Sequence, residues 1–294
     1  MAVALAVFLW PSDDDQSAAV FVADARFPAA LAALDDGGLL YGERLTGRIR
    51  EVDSQANLQE KPVAAVDVST EGQRGLVGLA VDDAGRIFAA WTRPDLRLVV
   101  GRVAPGDPRL VWLGPETTDI ANGGHIAFAP DGRLVIGIGD LGDPDLVSDP
   151  SAPNGKLLAL DPDGSPDQRP GVVSAGWNNP FAFTFTALDE LWVADNAPGS
   201  RSERIARGDQ QDPAITELEG ESAPSGLAAV GPARLLMCGF VSRTLQPFVI
   251  ASDGTVSPDG EPLATDCALG VAVLADDRVV YANENAIRIL RVAN

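Results

Sequence analysis

The chain is poor in the residues that usually carry chemistry. Its 294 residues contain one histidine (His125), two cysteines (Cys238 and Cys267) and two lysines (Lys61 and Lys156). Two cysteines cannot build a structural zinc site. Positive charge is scarce, with 22 Lys and Arg against 42 Asp and Glu and a formal charge of −20. A nucleic-acid partner is excluded on that ground, because phosphate neutralisation needs clustered cations. Long apolar runs are missing too. The longest at the N-terminus, Ala2 to Trp10, is half the roughly 20 residues that a helix needs to cross a bilayer.

That run meets Pro11-Ser12-Asp13-Asp14-Asp15 and reads as the remnant of a signal or anchor segment lacking its basic n-region, with an acidic tether to Ser17. The expectation is export across the cytoplasmic membrane, with membrane contact only through this segment. The alternative is that Ala2 to Leu9 is an ordinary strand. Apolar residues make up 46% and charged residues 22%, ample for a buried core. Residues 18–294 are expected to form a single domain after the 1–17 segment.

What the chain does have is one repeated sentence. Ile126 to Phe128 is a short apolar run, Pro130-Asp131-Gly132 is turn chemistry, and Leu134 to Ile138 is a second apolar run. Turns at positions 36, 83, 131, 189, 232 and 276 sit between similar pairs of runs and recur every 43 to 58 residues. Six short-stranded units with that period predict an all-β, six-bladed β-propeller. Ring closure requires strands from the two chain ends to pair, and Ala19 to Val22 suits Ile287 to Val292. The longest spacing comes from an insertion, Leu141 to Asn154, whose Asp, Pro and Ser content marks a loop. Cys238 and Cys267 lie beside core strands of successive units. They form a disulfide if both sit at the same end of adjacent blades, and are otherwise two buried thiols.

With these motifs in place, residues 27 to 292 resemble the soluble glucose/sorbosone dehydrogenase family. The parts are Gly42-Glu43-Arg44-Leu45-Thr46-Gly47-Arg48-Ile49, Gly75-Leu76-Val77-Gly78-Leu79-Ala80, Asn122-Gly123-Gly124 with Gly139-Asp140, Gly155-Lys156-Leu157-Leu158, and Asn179-Pro180 with Ala197-Pro198. The resemblance implies pyrroloquinoline quinone and calcium as cofactors, and a histidine base that takes a proton from a sugar hydroxyl while hydride passes to the quinone. Ala121 stands at the position of that base. His125 follows four residues later, which on a strand displaces it by about 13 Å at roughly 3.3 Å per residue. It reads as a packed strand histidine.

The same resemblance assigns Gln73, Asn178, Asn179 and Arg243 to the cofactor and the carbonyls of Ala197 and Pro198 to calcium. Asn178 replaces an arginine, and Arg243 neighbours Ser242, which falls where the family has lysine. The arginines that open the sixth unit meet Ala268-Leu269-Gly270. The favoured reading is a catalytically degenerate relative that binds a small molecule, carbohydrate or envelope component on one propeller face. An active quinone-dependent sugar dehydrogenase is the alternative. A third reading, a metal-dependent lactonase-like hydrolase, would draw oxygen ligands from Asp140, Asn179, Asp195 and Asn196. Converging carboxylates in the central channel would favour the hydrolase, and an apolar channel with amides would favour binding.

Overall fold

The structure, a computed structural model, describes residues 18–104, 106, 108–197, 202–211 and 213–290. The expected signal or anchor remnant, 1–17, lies outside them. The turn at Pro130-Asp131-Gly132 recurs around the molecule in atomic detail. Gly132 has φ 81° and donates its N–H to the Ala129 carbonyl at 2.9 Å. Gly37 donates to Leu34 at 3.0 Å, Gly85 to Asp82 at 2.8 Å, Asp189 to Thr186 at 3.0 Å and Asp277 to Leu274 at 2.9 Å, each from a residue at positive φ. Asp189 and Asp277 replace glycine at φ 63° and 64°, a conformation that Asp adopts more readily than most residues.

Each turn joins the two inner strands of a four-stranded antiparallel blade. Blade 1 consists of Pro28–Ala33, Leu39–Glu43, Arg48–Val52 and Ala64–Ala65, and blade 2 of Leu76–Val81, Ile87–Thr92, Arg97–Ala104 and Arg109–Glu116. Blade 3 is Ile126–Phe128, Leu134–Ile138, Lys156–Leu160 and Gly171–Ala175, and blade 4 is Ala182–Phe185, Leu191–Asp195, Arg204–Arg207 and Ile215–Glu217. Pro224–Val230, Arg234–Gly239, Leu245–Ile250 and Val256–Pro258 form blade 5. Blade 6 takes Gly270–Val273, Val279–Ala282 and Ile287–Leu290 from the C-terminal end and Ala18–Val22 from the N-terminal end, with Ala19 opposite Ile289 and Val20 opposite Arg288. The closure expected from the sequence is therefore present. No α-helix occurs among the described residues; the insertion carries one 3-10 turn, Pro144–Ser148.

Six apolar clusters fill the six seams between neighbouring blades. The second strands are sandwiched, so both faces are apolar. Leu134, Ile136 and Ile138 pack toward blade 2, while Val135 between them packs toward blade 4. Of the inner-strand residues expected in the core, Leu76, Leu79, Ile126, Phe183, Trp192, Leu227 and Val271 are buried. Phe128, Phe185 and Val273 are only half-buried. Each sits at the turn end of its inner strand, at the margin of its seam cluster. Cys238, on the second strand of blade 5, is bonded to Cys267 in the segment entering blade 6, with Cα atoms 5.4 Å apart and neither residue exposed.

Candidate functional site

Loops linking second to third strands, and each blade to the next, gather on the face opposite the hairpin turns. At its centre they enclose a pocket of about 400 Å³. Every blade contributes to it. Phe27 and Arg44 come from blade 1, Gln73 from the approach to blade 2, Gly123 from blade 3, Asn179 and Asn196 from blade 4, Phe240 and Val241 from blade 5, and Leu269 from blade 6. The walls are mostly apolar, and the polar groups among them are amides, one hydroxyl and one guanidinium.

Gln73 and Asn179 line the pocket, and both are braced. Gln73 Oε1 accepts from the Ala121 N–H at 2.7 Å, and Asn179 Oδ1 accepts from the Gly123 N–H at 3.0 Å. Ala121 is held at φ 52°, with its carbonyl accepting from Leu141 N–H at 3.1 Å. Asn178 is buried beneath the lining, where its Nδ2 donates to Asp140 Oδ2 at 2.6 Å. Arg243 grips Glu284 with two bonds of 2.6 and 2.7 Å and is not part of the lining. Those bonds raise the Arg243 pKa and lower that of Glu284. Ala197 is buried directly after Asn196, and Pro198 lies outside the described residues.

The two carboxylates considered as metal ligands brace loops. Asp195 accepts from the N–H groups of Asn178 and Asn179, both at 2.9 Å, and faces Arg204 at 3.3 Å. Asp140 accepts from Asn178 and from Gly142 N–H at 2.9 Å. Among the described residues no three His, Cys, Asp or Glu side chains come together as a metal site.

Arg44 is the charged residue of the lining, and the sequence did not disclose its place, any more than that of Phe27, Phe240, Val241 or Leu269. It lies in the Gly42 to Ile49 motif, but motif membership says nothing about which way a loop side chain turns. Its guanidinium lies 4.9 Å from the centre of the Phe27 ring, Nε donates to the Arg74 carbonyl at 2.8 Å, and Nη2 donates to the Gly72 carbonyl. Burial pushes its pKa down. His125 sits lower in the channel, packed edge-on against Phe183 with ring centres 4.7 Å apart. The surface it retains faces a small cavity walled by Phe181, Ser225, Leu227 and Val271, of which Phe181 and Ser225 also line the main pocket. Burial there lowers its pKa from 6.5 to about 4, against a smaller opposing effect of a hydrogen bond with the Phe183 backbone.

A closed ring of six antiparallel blades with a pocket at the loop-bearing mouth of its channel defines a six-bladed β-propeller. The model of the Glucose / Sorbosone dehydrogenase family matches residues 25–205, and the chain belongs to that family. No curated protein sequence matches significantly. Solved structures share the fold. A glucose dehydrogenase-type oxidoreductase from Thermus thermophilus is 23% identical, with 94% of this chain and 99% of that one covered and a TM-score of 0.80. The PQQ-bound aldose sugar dehydrogenase of Streptomyces coelicolor is 24% identical over 93% and 97% of the two chains (TM-score 0.74). The apo form of the soluble aldose sugar dehydrogenase of Escherichia coli is 20% identical over 93% and 98% (TM-score 0.76).

Proposed function

We propose that this chain is a catalytically degenerate member of the glucose/sorbosone dehydrogenase family that keeps the propeller pocket for binding a small molecule. The observation that carries this reading is the pocket's lining of apolar side chains and amides, with no histidine or carboxylate among the described lining residues. By the family resemblance the base position is Ala121, and a methyl group accepts no proton. General-base catalysis is typically worth 10² to 10⁴ in rate. His125 is not among the residues lining this pocket; it borders a smaller neighbouring cavity, where burial lowers its pKa to about 4.

The residues present do not fit pyrroloquinoline quinone, which carries several carboxylates. Among the described lining residues Arg44 is the one cation, and it already serves two backbone carbonyls. Arg243 is engaged with Glu284, and Asn178 presents no charge. Calcium bound through the Ala197 and Pro198 carbonyls belongs with the quinone in the alternative, dehydrogenase reading. The hydrolase reading draws little support from Asp140 and Asp195, since both are hydrogen-bonded as loop braces. A disulfide between Cys238 and Cys267 supports an extracytoplasmic location, because such bonds persist in oxidising compartments.

Dye reduction with several aldoses, after loading with quinone and calcium, tests the reading. Little or no turnover is expected. Rates in the ordinary range of about 1 to 10³ per second would overturn it. Ala121→His is the companion variant, because histidine is among the residues enriched at positive φ. It should leave the protein inactive if quinone binding was lost, and raise activity if only the base was missing.

A further inference from the structure

The pocket described above contains a charge without a counter-ion. Arg44 forms no ion pair with any carboxylate among the described residues, and its hydrogen-bond acceptors are the uncharged carbonyls of Gly72 and Arg74. Those carbonyls satisfy Nε and Nη2 and fix the plane of the guanidinium, but they cannot cancel its charge. A positive centre with no carboxylate partner in a concave apolar site attracts an anion at contact distance, working locally against the repulsion from a chain of formal charge −20. Asn196 Oδ1, on another wall of the same pocket, is buried and has no hydrogen-bond partner among the described residues. The site is therefore open at two polar points and not packed shut against itself.

The remaining walls set the character of the ligand. Phe27, Phe181 and Leu269 offer apolar surface inside, and Phe240 and Val241 stand at the rim, 46% and 55% exposed. A polyanion would find one guanidinium and no second cation among the described lining residues. A neutral sugar would leave the charge of Arg44 unpaired and the phenyl and aliphatic walls without an apolar partner. The geometry points to a small monocarboxylate with an apolar, ring-shaped body as the ligand, its carboxylate on Arg44 and its body between Phe27, Phe181 and Leu269. This assignment rests on the non-catalytic reading of the pocket and names the ligand class for it.

The test uses N-phenyl-1-naphthylamine, an uncharged fluorescent reporter of apolar pockets, displaced by matched competitors from the full chain. 2-Naphthoate should displace it at about a tenfold lower concentration than the neutral 2-naphthylmethanol, the gap expected of one charge-assisted contact. Pyrroloquinoline quinone should be the weaker competitor. In Arg44→Gln the gap between the two naphthalenes should close, and Arg44→Lys should restore part of it. Phe240→Ala, at an exposed rim position, should weaken the reporter itself. Equal displacement by the two naphthalenes in the wild type, stronger displacement by the quinone, or a reporter indifferent to Phe240→Ala would each overturn the assignment. The wild-type comparison needs no variant to fold. Aldose turnover after quinone loading would instead sink the non-catalytic reading, so the two failures are told apart.

Discussion

At the scale of single residues, the neutral imidazole of His125 ties stability to acid within one window. Its folded pKa of about 4 lies below the ordinary 6.5, chiefly through burial. The unfolded chain therefore binds a proton between these values that the folded chain refuses. Stability from this group is complete above pH 6.5, falls as the pH drops toward 4, and changes no further below that. The full effect is on the order of 3 kcal/mol. Denaturant titrations of the wild type and His125→Leu should show the wild type losing more stability between pH 6.5 and 4, the difference isolating His125 from the many carboxylates. Parallel pH profiles would show that burial does not hold the ring neutral. The same residue explains why a lone histidine misleads a motif search: its neighbours Phe181 and Phe183 come from a different blade.

At the scale of elements, the Cys238–Cys267 bond staples the second strand of blade 5 to the segment that enters blade 6, across a sequence separation of 29 residues. Closing a loop of that length removes chain entropy from the unfolded state worth about 3 to 4 kcal/mol. Reduction, or Cys238→Ala with Cys267→Ala, should lower the melting temperature by several degrees. Identical melting of oxidised and reduced protein would rule out the staple. Strand positions were legible because the hairpin turns have a chemical signature, with Asp131 Oδ1 accepting from Arg133 N–H at 3.1 Å and Asp82 Oδ1 from Arg86 N–H at 2.8 Å. Burial at strand ends was less legible, as Phe128, Phe185 and Val273 show, because it depends on what the neighbouring blade places opposite the last residue of a strand.

At the scale of the whole molecule, a ring of blades stays shut only if its first and last elements pair. Ala18–Val22 completes blade 6, and it places Phe21 and Val22 in the seam with blade 1. Truncation through Val22 should uncover the edge of Ile287–Leu290 and strip that seam of two side chains. Unpaired edges template association, so the truncated chain should form oligomers on size-exclusion chromatography and lose a single cooperative melt. Truncation through Ser17 should leave both unchanged. A monomeric, cooperatively melting protein lacking residues 1–22 would show that closure does not depend on this strand.

The repeat of apolar run, Asp- or Gly-bearing turn and apolar run specified the sheet type, the number of blades and the strands that close the ring, because each of these is a local or periodic property that survives in one dimension. The same holds for the identity of Ala121, whose methyl group accepts no proton in any conformation. The site's electrostatics were a different matter. Arg243 was a plausible anchor until the fold brought Glu284 against it, 41 residues along the chain. Asn178 and Asn179 are adjacent in sequence, yet one points into Asp140 and the other lines the pocket. Arg44 became the pocket's cation only because the loop from blade 1 turns it toward the channel mouth, braced by the carbonyls of Gly72 and Arg74. Charge compensation depends on which groups meet in space, and only the closed ring brings those six loops to one mouth.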